Sequence, residues 1–188
     1  MIILTGFEKF SSYKINLSKI LVNQFENQIG NYKIQKKILP VSWRRSILNY
    51  QNSLSNLGEP PDLAILLGIY SGSEIRIERY SWNISIGMDA DNKFRLRPIK
   101  LIAKLRIKLN SNIKIIKTLK TLRLRSKISS YMGVFLCNYI YFNAILISAD
   151  KYPVIFIHIP DRGSLTELKI EIKKIITLIV RTLKQTNS

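Results

Sequence analysis

The chain has 188 residues, 46% of them apolar, with 30 basic against 12 acidic side chains, a formal net charge of +18, one cysteine and one histidine. That length and apolar content suit a globular protein with its own core, read as one domain over residues 1–188. A single cysteine excludes an internal disulfide and fits a reducing, cytoplasmic setting. One Cys and one His are too few for a typical zinc site, and no metal or organic cofactor is expected.

Ile2 to Leu4 reads as a short buried strand and Thr5 to Ser12 as a loop. The opening MIILTGFEKF has no basic leader, unlike a secretory signal. Asn16 to Gln28 follows as a helix with Ile20, Leu21 and Phe25 on one face and Asn16 or Ser18 at its cap. Tyr32 to Leu39 alternates as a strand stopped by Pro40. Ser42 to Leu57 is expected as a helix with Trp43, Ile47, Leu48, Leu54 and Leu57 inward, ended by Gly58, Pro60 and Pro61. Asp62 to Leu67 is apolar after its first residue, as a central parallel strand should be. Strand, helix, strand, helix, strand predicts an α/β three-layer sandwich, helices on both faces of a mostly parallel sheet.

Ile75 to Ile86 alternates and is expected as extended chain or a hairpin-like excursion. Residues 93–127 then hold thirteen basic side chains and no acid. Within them Ile113 to Leu122 reads as an amphipathic helix and Leu124 to Ser130 as a strand, while Lys93 to Ser111 shows no sharp pattern. Met132 to Ala149 is free of charge, but Asn138, Asn143 and Ser148 mark it as a buried helix and not a membrane span. Tyr152 to Ile159 is a β-branched and aromatic run closed by Pro160, a buried strand. Leu165 to Leu183 carries Leu168, Ile172, Ile175, Ile179 and Leu183 at helical spacing, a packing face.

The chemistry gathers around Cys137. A helix that begins at or near it places backbone N–H groups beside the sulfur; these stabilise an anion, and the thiolate is the nucleophilic form. His158 ends the strand that follows this helix, where open α/β sheets place their ligands. One helix and one strand separate the two residues, so both fall on the same rim. A carboxylate would hold the tautomer of such a histidine, and Glu78 or Glu74 has suitable placement.

The segments MIILTGFEKF, PDLAILLG, IERYSWN, GVFLCN and FIHIP occur in the order and approximate spacing of pyroglutamyl peptidase I, and the chain resembles that cysteine peptidase family over nearly its whole length. The matching positions are Thr5, Gly6, Phe7, Glu8 and Phe10, then Glu78, Arg79 and Asn83, then Phe135, Cys137 and Asn138, then Phe156, His158 and Pro160. The resemblance implies a phosphorylase/hydrolase-like sandwich and a triad of Cys137 as nucleophile, His158 as base and Glu78, favoured over Glu74, as its orienting carboxylate. It also implies a pocket walled by Phe7, Phe10 and Phe135, a peptide substrate with N-terminal pyroglutamate, no cofactor, and a homo-oligomer. Pyroglutamate is a neutral lactam without a free α-amine, so aromatic walls and backbone hydrogen bonds suit it better than a carboxylate.

This sequence also departs from the family. Met88 stands where an arginine near the active site is usual, leaving Arg79, Arg95 or Arg97 to supply that charge. The Gly-Gln-Ala-x-Gly-Arg loop has become GIYSGS, Ile77 replaces a proline, and Tyr131 and Met132 replace small residues. Two other expectations therefore accompany a peptidase: an impaired relative that binds a partner, and a basic protein that binds nucleic acid or an anionic membrane surface. No aromatic lies between Phe94 and Tyr131 to stack on single-stranded bases, so no specific nucleic-acid partner is expected.

Overall fold

The computed structural model describes residues 1–10, 15–108, 115–119 and 126–187. Its centre is a seven-stranded sheet whose spatial order is set by β10 (Ser126–Ser129), β5 (Ile75–Glu78), β11 (Val154–Pro160), β4 (Leu63–Tyr70), β1 (Ile2–Phe7), β3 (Tyr32–Leu39) and β2 (Gln28–Ile29). Four of its six strand pairs are parallel, which requires crossovers, namely β10 with β5, β11 with β4, β4 with β1 and β1 with β3. The pairs β5 with β11 and β3 with β2 are antiparallel. The sandwich with a mostly parallel sheet expected from the alternation of elements is thus the observed fold.

Strand parity sorts the side chains between two cores. Ile2, Leu4, Leu63, Ile65, Leu67, Ile75, Ile77, Ile155 and Ile157 face one layer, with Leu21 and Val22 of α1 (Leu17–Gln24), Ile115 and Leu119 of the helical stretch α3 over residues 115–119, and Ile172 to Ile179 of α5 (Leu165–Asn187). Ile3, Phe7, Ala64, Leu66, Val154 and Phe156 face the other, with Trp43 and Tyr50 of α2 (Trp43–Ser55) and Leu136 to Ile145 of α4 (Leu136–Ser148). Period-two alternation then decides where polar residues go. His158 keeps step with Val154 and Phe156, and Glu78 is out of step with Ile75 and Ile77, so both point toward the α2–α4 layer.

Several boundaries differ from the sequence expectation for physical reasons. β1 runs on through Phe7, because its ladder with β3 continues to the pair Phe7 with Leu39; the expected loop begins only after it, and Ser11 and Ser12 lie outside the described residues. α1 stops at Gln24, since Phe25 is extended and Gln28–Ile29 folds back on β3. Its cap is Asn16, whose Oδ1 accepts from the Ser18 N–H at 3.0 Å. In α2 the inward face is Trp43, Ser46, Tyr50 and Ser53, and Leu48 is exposed.

β5 is no hairpin arm but a full member of the sheet, wedged between β11 and β10. The small antiparallel pairs are built after it: β6 (Ser81–Trp82) with β9 (Arg106–Ile107), and β7 (Ser85–Met88) with β8 (Phe94–Arg97). The stretch Lys93 to Ser111 therefore contains two strands that its sequence does not advertise. Of the expected helix at 113–122, residues 115–119 are helical and the rest lies outside the described residues; so do Leu124 and Arg125 of the expected strand. Among the described residues no helix is long and apolar enough to cross a membrane.

Candidate active site

Cys137 is the second residue of α4, after Phe135 at the N-cap and Leu136. No side chain caps this helix start, so its first N–H groups are free of intrahelical acceptors and the positive end of the helix dipole lies at the sulfur. The helix is held by its third residue. Asn138 is fully buried; its amide donates to the carbonyls of Trp82 at 2.7 Å and Ile84 at 2.8 Å, and its Oδ1 accepts from the Trp82 N–H at 2.7 Å and Ser81 Oγ at 3.0 Å. One side chain thereby locks the start of α4 to the chain that follows Glu78.

His158 and Glu78 meet across the antiparallel seam of β11 and β5, where Phe156 pairs with Glu78 and His158 with Arg76. Glu78 Oε1 lies 2.8 Å from His158 Nδ1, with both side chains almost fully buried. Glu74 is exposed in the turn before β5, and its backbone bonds the Tyr70 hydroxyl. Burial alone would lower the pKa of His158; hydrogen bonds to Cys137 and Glu78, with the charges of those groups, overcome it and raise the value to about 9. Since Nδ1 is engaged by Glu78, Nε2 is the nitrogen left for the thiol. Cys137, His158 and Glu78 are thus brought together.

A cavity of about 200 Å³ ends at Cys137 and is lined by Phe7, Phe10, Asn16, Val41, Ile69 and Phe135 among others. All three phenylalanines singled out in the sequence border it. Phe10 and Phe135 lie 5.2 Å apart by ring centroids, Trp43 meets Phe135 edge-on at 5.2 Å, and Tyr139 meets Trp43 in the same way. Buried Asp89 fixes this wall: its Oδ2 accepts from the Trp43 N–H at 2.9 Å, while its Oδ1 accepts from the N–H groups of Asp91 and Lys93.

Two glycines make the site possible. Gly68 shares the face of Ala64 and Leu66, and a Cβ there would sit 2.8 Å from Phe156 Cζ and 3.0 Å from Cys137 Sγ. Gly87 has φ of +129°, which L side chains rarely adopt, and a Cβ would sit 2.7 Å from the Phe135 ring. Sequence reasoning passed over both, together with Asn16, Ile69 and Tyr70, whose ring lies 5.8 Å from that of His158. The parity of Gly68 within the apolar strand was the one available signal. The first half of the altered GIYSGS segment is strand, since β4 extends through Tyr70.

Of the three arginines considered for the charge absent at Met88, Arg95 stands against the aromatic wall. Its guanidinium lies 4.8 Å from the Tyr139 ring centroid and 5.6 Å from that of Trp43, and its Nε donates to Ser85 Oγ at 3.0 Å. Burial, with the charge of Arg97 in the same direction, lowers its pKa. Arg97 is exposed, and Arg79 stacks on Tyr80. Met88 itself is 47% exposed and pairs with Phe94 in the β7–β8 ribbon.

Comparison with known proteins agrees with this architecture. Residues 1–183 match the pyroglutamyl peptidase family. The pyrrolidone-carboxylate peptidase of Thermosipho melanesiensis is 29% identical over 167 residues, covering 85% of this chain and 82% of that protein. The enzyme of the same name from Pyrococcus furiosus is 30% identical over 173 residues, covering 85% and 80%. The structure of pyrrolidone carboxyl peptidase from Thermococcus litoralis superposes with a TM-score of 0.87 at 26% identity, over 98% of this chain and 95% of that one. A match that spans almost every element, from β1 through α5, places this chain in the pyroglutamyl peptidase family.

Proposed function

We propose that this protein is a cysteine exopeptidase that removes N-terminal pyroglutamate from peptides, with Cys137, His158 and Glu78 as its triad. The observation that carries the proposal is the 2.8 Å contact of Glu78 with a histidine whose other partner is the thiol at the mouth of an aromatic cavity. A cavity near 200 Å³ has room for one small ring. Phe10 and Phe135 would face that ring. None of the described lining residues is a carboxylate, which fits an uncharged N-terminus.

The chemistry follows from the arrangement. His158, with its raised pKa, already holds the proton it takes from the thiol, and Cys137 Sγ forms a bond to the pyroglutamyl carbonyl carbon, whose C=O π pair moves to oxygen. The oxygen that becomes negative faces the free N–H groups at the start of α4. The intermediate collapses by breaking the C–N bond, and the proton passes from imidazolium to the departing amine. Water then attacks the thioester, gives a proton to His158, and releases pyroglutamate as sulfur recovers its hydrogen. Glu78 holds the imidazole tautomer and stabilises its charge throughout. Arg95 supplies the fixed positive charge near the aromatic wall.

Hydrolysis of a pyroglutamyl-linked fluorogenic amide, with the proline-linked amide as control, tests the proposal. Cleavage of the first substrate alone, lost in Cys137→Ala, is expected. A folded, reduced wild-type protein that cleaves neither would identify a relative that binds without catalysing.

A further inference from the structure

The basic segment that the active site leaves unused has a built form. The loop between β8 and β9, residues 98–105, is pinned from beneath by Asn83, which is 8% exposed. The Asn83 amide donates to the Lys100 carbonyl at 2.7 Å and the Ala103 carbonyl at 3.3 Å, and its Oδ1 accepts from the Lys100 N–H at 2.9 Å. The Asn83 N–H also reaches the Leu105 carbonyl at 2.7 Å. What this clamp holds outward is apolar: Leu101 is 91%, Ile102 101% and Leu105 71% exposed. Scattered surface aliphatics are ordinary, but three on one fixed loop are not.

Cations and aromatics adjoin the loop. Lys100, Lys104 and Arg106 are exposed. On the neighbouring β6–β9 ribbon the Arg106 guanidinium lies 4.6 Å from the Tyr80 ring centroid and 5.9 Å from that of Trp82, and Trp82 meets exposed Tyr131 at 6.1 Å. The rings missing from the basic segment itself are thus supplied by Tyr80, Trp82 and Tyr131, which flank it in sequence.

We propose that this surface docks on an anionic lipid bilayer. The loop tip enters the acyl boundary, Trp82 and Tyr131 lie at headgroup level where such rings concentrate, and the lysines and arginine meet lipid phosphates. A polynucleotide would use the cations and rings but not the three aliphatics, which decides between the two polyanions. A second copy of the chain would bring another +18 against this surface.

The test is flotation of the full chain with vesicles of phosphatidylcholine containing roughly one third phosphatidylglycerol, against pure phosphatidylcholine, at about 0.1 M salt. The wild type is expected to float only with the anionic vesicles. Leu101→Ser combined with Ile102→Ser should lower partitioning roughly tenfold or more, and Lys100→Glu with Lys104→Glu similarly, while circular dichroism and amide hydrolysis stay as in the wild type. Equal partitioning of the Leu101→Ser/Ile102→Ser variant overturns the proposal, as does failure to bind anionic vesicles. Retention of a single-stranded oligonucleotide by the wild type and by that variant alike, without vesicle binding, assigns the surface to nucleic acid. An assembly seen by light scattering that the same variant dissolves assigns it to an interface between copies, and either result overturns lipid docking.

Discussion

The triad rim and the loop at residues 98–105 are both held by a buried asparagine, and they are used in opposite ways. Asn138 is fully buried and ties α4 to the backbone after β5, bringing polar groups inward to within hydrogen-bond distance. Asn83 ties down a loop that holds Leu101, Ile102 and Leu105 out in solvent. The first arrangement spends burial on charge: Glu78 and His158 are desolvated and must satisfy each other. The second leaves apolar surface in water, where only an external partner can cover it. The difference teaches that one polar anchor fixes backbone equally well for catalysis or for display, and that burial of the neighbours decides which.

The largest effect expected from breaking the inner arrangement is that of Cys137→Ala, which should abolish amide hydrolysis, with thermal unfolding close to wild type. Glu78→Gln keeps the shape but not the charge, and a loss of kcat of about 10³–10⁴ is expected by analogy with other orienting carboxylates. Gly68→Ala pushes a methyl group into Phe156 and Cys137 Sγ; a kcat decrease of about 10² and destabilisation of about 1–3 kcal/mol should appear in kinetics and denaturant melts. Arg95→Ala, at the edge of the wall, should lower kcat/KM by about tenfold, whereas Arg97→Ala should leave it within twofold; equal effects of the two would remove Arg95 from its assigned role.

The pH dependence sharpens the same contrast. His158 has its pKa raised to about 9 from 6.5, so the folded state binds its proton more tightly than the unfolded chain does. That stabilisation is complete below about pH 6.5 and is lost as pH rises toward 9. Melting temperature should therefore fall across this window in the wild type and fall less in His158→Gln. Leu101→Ser and Ile102→Ser should leave this window as in the wild type, since they keep His158 and its partners.

The sequence carried a large part of this. Alternation of strand-like and helix-like segments predicts the sandwich, and four short motifs in order point to Cys137, His158, Glu78 and the three phenylalanines. Their meeting was not legible in the same way. Glu78 is 80 residues from His158 in the chain, and alternation around it indicates extended chain without saying which strand it pairs with; only the antiparallel insertion of β5 beside β11 closes the distance. Asn16, Ile69 and Gly68 were hidden because a pocket is a property of elements brought together from β1, β4 and α4, and a missing side chain leaves no signal in one sequence.

By itself, then, the sequence determined the layers, because periodicity of apolar residues dictates which face of each element must be buried. It also narrowed the candidates for thiol and imidazole chemistry to Cys137 and His158, because the chain has one cysteine and one histidine. Tertiary structure alone decided which arginine reaches the aromatic wall and where rings meet the basic segment, as with Arg106 over Tyr80. Those are long-range pairings, fixed by strand order and register and not by any local preference of the residues that make them.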